Sequence, residues 1–436
     1  MHRTALISMV MMTFLAGAAM ADWPQFLGPT GNGVAAPGEA KLAEKWPDGG
    51  PKVLWTVTLG RGFGGPAIRD GKVYLLDRVG NEKDVLRCLD LATGTEQWNC
   101  SYPAGGRKFG YHGTRSTPAV DDKHVFSIGM YGHLHCVDKA THKSVWSKDL
   151  LADYEGRIPN WGVAISPLLY KDRVIVAALG KTAGVIAYEK ATGKELWRSR
   201  PMGRMAYVSP IILKVDGADQ LVVLPDGGAR VAGLDAANGK LLWTFRSWKC
   251  NIPIAAPTDC GDGCLFVTGG YKAGSVMLKI AKQDGKFTAR EVFRLDDIGS
   301  ILHNALVHKG HLYVNANTKR TFDGLMCVDL AGKIKWQTGR QPNCEKGSLI
   351  LAGGLIYIMD GKSGLLRMVR PDPTHYAEIG QVKILGARPV WAPMAVSGGK
   401  LICRDQRQMK CLDITAPAAS LRPPRPPGET AMAGRR

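Results

Sequence analysis

One short signature returns along this chain and sets its period. A small residue, an apolar residue and an acid are followed by a turn bearing Thr, Asn or Gly, and then by a tryptophan. Copies stand at Cys88-Leu89-Asp90 with Trp98, Cys136-Val137-Asp138 with Trp146, Ala187-Tyr188-Glu189 with Trp197, and Gly233-Leu234-Asp235 with Trp243. After a degenerate copy the signature reappears at Cys327-Val328-Asp329 with Trp336. It ends at Cys411-Leu412-Asp413 with no tryptophan behind it. The acid has a local task, since a short carboxylate accepts hydrogen bonds from backbone amides two residues on and starts the turn.

The best-marked unit, residues 116–146, reads as four strands: 117–120, 125–130, 133–138 and a last one from 144, separated by polar turns. Fourth strands can then be counted along the chain at Trp55, Trp98, Trp146, Trp197, Trp243, Phe293, Trp336 and a weak copy near residues 376–379. Their spacing runs from 43 residues (Trp55 to Trp98) to 51 (Trp146 to Trp197). Four-stranded sheets repeating at this period predict an all-β, eight-bladed β-propeller of antiparallel blades. Lys52-Val53-Leu54-Trp55 is a fourth strand with no predecessors. It is expected to pair with residues 399–413 and close the ring, removing the free edge of an open array. Residues 51–414 thus form one domain, which can exceed the usual single-core size because each blade packs only on its neighbours.

The ends read differently. Residues 1–21 have a basic start, an apolar run too short to cross a membrane, and small residues before Asp22, the pattern of a cleaved export signal. No later stretch is long and apolar enough for a span, so the expectation is an exported protein of the periplasm or the extracellular space, working as a monomer. Residues 22–50, rich in Gly and Pro, are expected to form an extended lead-in that docks Trp23 and Phe26 on the outside of the propeller. The Pro- and Arg-rich tail, 415–436, has little to bury and is expected to be disordered.

Catalytic and metal motifs are scarce. The chain has no G-x-S-x-G elbow, no HExxH and no phosphate loop in a strand-to-helix context. His133 and His135 share a face of one strand, and His308 and His311 flank a turn. Neither pair has a third ligand nearby, and no metal site is assigned. Of ten cysteines, Cys88, Cys136, Cys327 and Cys411 recur at one place in the repeat, which suits small buried residues. Cys260 and Cys264 flank Gly261-Asp262-Gly263 and are a candidate disulfide across a hairpin, with free thiols as the alternative.

The charge is concentrated. Residues linking each fourth strand to the next blade (60–65, 107–116, 157–166, 203–209, 248–256, 299–304, 345–348 and 388–392) carry nine bases against the single acid Glu345. They therefore hold +8 of the chain's +19. Such linkers crowd one face around the axis. Arg61, Arg115, Arg157, Trp161, Arg204, Tyr207, Trp248, His303, Asn304, Arg388 and Trp391 are the candidate binding set there. Cations beside aromatic faces suit an anionic small molecule, an acidic polysaccharide or an acidic segment of an envelope protein. The alternative is that the bases are solvated and the aromatics only pack. Export and the absence of any nucleic-acid module argue against a nucleic-acid partner.

The stretch Ala187-Tyr188-Glu189-Lys190-Ala191-Thr192-Gly193-Lys194-Glu195-Leu196-Trp197 resembles the pyrroloquinoline quinone repeat of quinoprotein alcohol dehydrogenase-like propellers. The resemblance covers about residues 52–413. The opening Asp22-Trp23-Pro24-Gln25-Phe26 is similar to that of exported quinone-binding-like propellers. One branch of that superfamily implies pyrroloquinoline quinone with calcium, a catalytic aspartate, and often a disulfide between adjacent cysteines. This chain has no adjacent cysteines and no assignable calcium set, and Asp296 and Asp297 are its best acidic candidates. The other branch implies a non-catalytic subunit of outer-membrane barrel assembly, a lipoprotein, whereas no cysteine follows the signal here. The residues favour an exported non-catalytic binding or scaffold module in the cell envelope, with catalytic residues unassigned. A quinone-dependent dehydrogenase of alcohols or sugars is the alternative.

Overall fold

A computed structural model describes residues 21–417 except 107, 178–179, 204–206, 226–230 and 319–322. The export signal, apart from Ala21, and the tail from 418 onward lie outside the described residues. The described residues form eight four-stranded antiparallel sheets and no helix, the expected eight-bladed propeller. Blade 2 is representative, with strands Ala119–Val120, His124–Ile128, His133–Asp138 and Ser144–Asp149. Its second and third strands are largely buried because blades stack on both faces, while the fourth lies half exposed at the rim. Blade 8 takes Ala395–Ser397, Lys400–Arg404 and Gln408–Asp413 from the end of the chain and Lys52–Thr58 from its beginning. Lys52 pairs with Asp413 and Thr58 with Gln408, which closes the ring.

The repeat signature acts twice. First, its acid caps the turn between strands three and four. Asp90 Oδ1 accepts from the amides of Ala92 (3.0 Å) and Thr93 (3.1 Å), and Asp138 Oδ1 from those of Ala140 (3.0 Å) and Thr141 (2.7 Å). Second, its aromatic docks on the corresponding turn of the following blade, except Trp243, whose indole N–H donates to Gln220 of its own blade (2.5 Å). The indole N–H of Trp55 donates to Leu91 O (2.9 Å), that of Trp146 to Lys190 O (2.9 Å) and that of Trp336 to Asp372 O (2.7 Å). The ring itself lies against the turn glycine. A Cβ on Gly94, Gly193, Gly239 or Gly332 would come within 2.5 to 2.7 Å of the preceding blade's Trp55, Trp146, Trp197 or Phe293. In blade 2 the turn position is His142, which stacks on Trp98 at 4.9 Å between ring centroids. A β-bulge beside the aromatic recurs, as at Cys88/Leu89 and Cys136/Val137, and tilts the outer strand toward its neighbour.

The lead-in does not lie on the outside, as its lack of periodicity suggested. It threads the central channel. Trp23, 1% exposed, forms a two-way bridge with Ile68 on the innermost strand of blade 1. Pro24 O accepts from Val120 in blade 2, and Leu27 packs with Val208 and Ile211 of blade 4. The segment then turns, and Asn304 of blade 6 donates to Asn32 O (3.1 Å). Residues 33–35 pair with Leu351 of blade 7. Ala43 donates to Ile414 O (2.9 Å), and Leu42 bridges Thr415, so the first tail residues are ordered. The physical reason is that Trp23, Phe26 and Leu27 find more buried apolar wall along the channel than a rim could offer.

The candidate disulfide is not formed. Cys260 and Cys264 are free thiols that face each other across their hairpin through a backbone bond (2.9 Å). Cys88, Cys136, Cys327 and Cys411 are buried as the repeat implied, and burial raises their thiols, Cys136 and Cys411 to about 12.

The turn glycines yield a matched test. Gly193 and Gly285 both have positive φ (69° and 76°), but only Gly193 lies against a ring, and a Cβ on Gly285 would meet nothing within 4 Å. Gly285→Ala should therefore cost about 1 kcal/mol, the left-handed backbone alone. Gly193→Ala should cost roughly 3 kcal/mol because overpacking adds to it. Urea unfolding midpoints of the two variants measure the difference.

Candidate functional site at the axial mouth

An even number of antiparallel strands brings each fourth strand back to the face where the first began. The inter-blade linkers and the turns between second and third strands therefore share one face. Around the axis of that face lies a cavity of about 440 Å³. Phe63, Tyr111, Trp161, Tyr207, Tyr271 and Trp391 form its aromatic walls, with Arg115, His303 and Lys346 among them. Phe26 of the lead-in also lines it, so the chain's own N-terminal segment forms part of its wall.

The walls are built as two aromatic groups. Phe63, Tyr111 and Trp391 pack mutually at 5.3 to 6.1 Å between centroids, and Trp161 packs on Tyr207 at 5.8 Å. Arg115 lies over Phe63 at 5.3 Å and Lys346 over Trp391 at 4.6 Å, both cation–π geometry. Arg115 Nη1 donates to Gly113 O (2.5 Å), and Nη2 donates to Tyr111 O, which holds the guanidinium by its own loop. Burial lowers its pKa to about 10, so it remains charged at neutral pH. No carboxylate among the described residues pairs with it. Glu345 is occupied otherwise: its Oε2 accepts from Trp391 Nε1 (2.6 Å) and its Oε1 from Lys346 Nζ (2.6 Å). That linker is fixed by Asn315 and Asn317, whose amides donate to Glu345 O at 3.2 and 2.7 Å.

His303 is 6% exposed, and its Nε2 has no hydrogen-bond partner although the residue lines the cavity. Burial pushes its pKa down to about 4, against a weaker opposite pull from the backbone carbonyls of Lys346 and Trp391. The imidazole is therefore neutral at ordinary pH, with its Nε2 buried and unpartnered.

Residues 81–338 match the family model described as outer membrane protein assembly factor BamB. The chain belongs to the BamB family. Outer membrane protein assembly factor BamB of Moranella endobia (strain PCIT) is 26% identical over 263 residues, 56% of this chain and 61% of that relative. The chain thus spans about three fifths of the length of this curated relative. A solved BamB from Moraxella catarrhalis superposes with a TM-score of 0.58 at 14% identity, covering 83% of this chain and 99% of that one. A quinohemoprotein alcohol dehydrogenase from Comamonas testosteroni superposes at 0.62 with 12% identity, covering 93% and 82%. These two likenesses concern the fold alone.

Of the sequence-derived set, this BamB-family propeller brings Arg115, Trp161, Tyr207, His303 and Trp391 together at the mouth. Arg61, Arg157 and Arg388 are exposed and do not line the cavity. Trp248 is fully buried in the blade core and donates to Gly274 O (3.3 Å), so it is a packing residue. Asn304 holds the lead-in rather than facing a ligand. Arg204 lies outside the described residues. The sequence reading missed Phe26, which it placed outside the ring. It also missed Tyr271, in the turn between second and third strands of blade 5, a position that strand parity alone assigns to this face.

The quinone and calcium implied by the repeat resemblance do not fit these residues. No carboxylate among the described residues lines the cavity, and among them no group of three or more His, Cys, Asp or Glu is placed to hold a metal. Asp296 and Asp297 are exposed and do not line the cavity. A hard dication needs several oxygen ligands, which this aromatic wall lacks.

His303 links the site to stability. Its ordinary pKa of 6.5 falls to about 4 on folding, so the unfolded chain binds a proton that the folded one refuses. Stability should therefore fall as pH drops from about 6.5 toward 4 and level off below. His303→Gln should remove about one proton from that slope, as read from denaturant midpoints across the pH range.

Proposed function

We propose that this chain is an exported, non-catalytic module of the cell envelope, reaching the periplasm through its N-terminal signal and serving the assembly or holding of envelope proteins. Family membership supports the envelope role, and the relatives' own designation is outer membrane protein assembly factor. At its axial mouth the module binds an anionic group carried by a small ligand or an acidic partner. The observation that carries this reading is the Arg115 guanidinium, held over Phe63 without a carboxylate beside it in a blind aromatic cavity. A quinone-dependent dehydrogenase shares the fold, but the described residues of the mouth include neither the oxygen donors for calcium nor a carboxylate to serve as base.

Two measurements test this. Deleting the gene in its native host should lower the amount of β-barrel protein in the outer membrane, and a wild-type copy should restore it; unchanged barrel levels would remove the assembly role. Calorimetric titration of the mature chain with pyrroloquinoline quinone should show no gain in affinity on adding calcium and no dye reduction with alcohols or sugars. Calcium-dependent binding with turnover would replace the module reading by the dehydrogenase.

A further inference from the structure

We infer that the mouth is a site for a flat aromatic ring carrying a single carboxylate. This rests on the reading of the mouth as an anion site and narrows it by charge, wall chemistry and depth.

Among the described residues the charge balance allows one negative group. Lys346 is already neutralised by Glu345 at 2.6 Å, which leaves Arg115 as the uncompensated cation among the described lining residues. A polycarboxylate would place further charges against aromatic faces with nothing to meet them. The walls select for an aromatic body. Rings on opposite sides, Phe63 with Trp391 and Trp161 with Tyr207, offer faces for stacking and edge contacts.

A sugar acid suits the pocket less well. Its several hydroxyls would be desolvated against mainly aromatic and aliphatic walls, and each one left unpaired weakens binding about tenfold. The Nε2 of His303 is buried without a partner, so it gives a ligand's hydroxyls no exposed acceptor to compensate that loss.

Depth decides how a larger molecule could enter. The lead-in, whose Phe26 lines the cavity, pairs with the innermost strands of blades 1, 2 and 7 and so occupies the space behind the mouth, and a polymer can present only its end. The same chemistry has two sources: a free aromatic acid, or the C-terminal residue of a polypeptide when that residue is aromatic.

The test uses the full mature chain at low salt, with calorimetry and quenching of tryptophan emission as readouts. Hydrocinnamate should bind at least about tenfold tighter than its uncharged amide, the effect of one charge-assisted hydrogen bond, and at least about tenfold tighter than glucuronate. Arg115→Gln should bring the acid down to the level of the amide with the melting temperature unchanged. If that variant unfolds, the comparison of acid with amide on the wild-type chain decides alone. Peptides ending in phenylalanine, with free or amidated C-termini, separate the two sources. A preference for the free peptide over hydrocinnamate assigns the chain end, and the reverse assigns the small acid. Equal binding of acid and amide overturns the inference. Glucuronate binding tighter than hydrocinnamate overturns the aromatic class while leaving an anion site, and no binding by any of these anions removes both.

Discussion

Blades 1 to 4, 6 and 7 of this propeller each take an aromatic from the blade before them onto their last turn. The ring of Trp146 fills the space above Gly193, and its indole N–H donates to the carbonyl of Lys190 (2.9 Å). The acid of the same turn holds the loop in shape from within. One short signature thereby serves both the inside of a blade and its interface. It works only if every blade has a predecessor, and so the ring must close. Trp55 closes it, borne by the strand from the beginning of the chain and docked on Gly94 and Leu91 of blade 1.

Closure has a consequence for the axis. The strand that completes blade 8 sits at the rim, and the segment before it reaches the rim only after running through the channel. Trp23, Pro24 and Leu27 bind the inner strands of blades 1, 2 and 4, and residues 33–35 those of blade 7. The channel becomes a blind pocket whose inner wall is the chain's own Phe26. Burial in that pocket makes the polar groups consequential. It leaves His303 neutral and with an unused nitrogen, and it holds an uncompensated guanidinium against an aromatic face. A quinoprotein would need hard oxygen donors at this place, and these residues supply aromatic carbon instead.

The repeat could be read from sequence because it is a local rule applied many times: the acid of Asp138 caps its own turn, and Trp146 stands eight residues later whatever its surroundings. The closing strand was equally legible, since a fourth strand without predecessors has one partner available. The lead-in was not, because its contacts are single events with several different blades and leave no period. The linkers were legible as a basic, aromatic face but not residue by residue. Trp248 and Trp391 look alike in sequence, yet Trp248 turns into the space beside Gly269 and Trp391 toward the axis. Arg115 and Arg157 differ in the same way, one held by its loop carbonyls and the other left in solvent. Backbone direction, not residue type, decides between the members of each pair.

The blind aromatic mouth depends most on the lead-in being a permanent wall of the pocket. Hydrogen exchange of the amides of Trp23, Gly33 and Ala35, which donate to Ile68, Leu27 and Leu351 carbonyls, measures this directly. Protection comparable to that of the innermost strands is the predicted result. Exchange at the rate of an unstructured segment would contradict it, because the channel would then be open and the blind aromatic mouth would not exist.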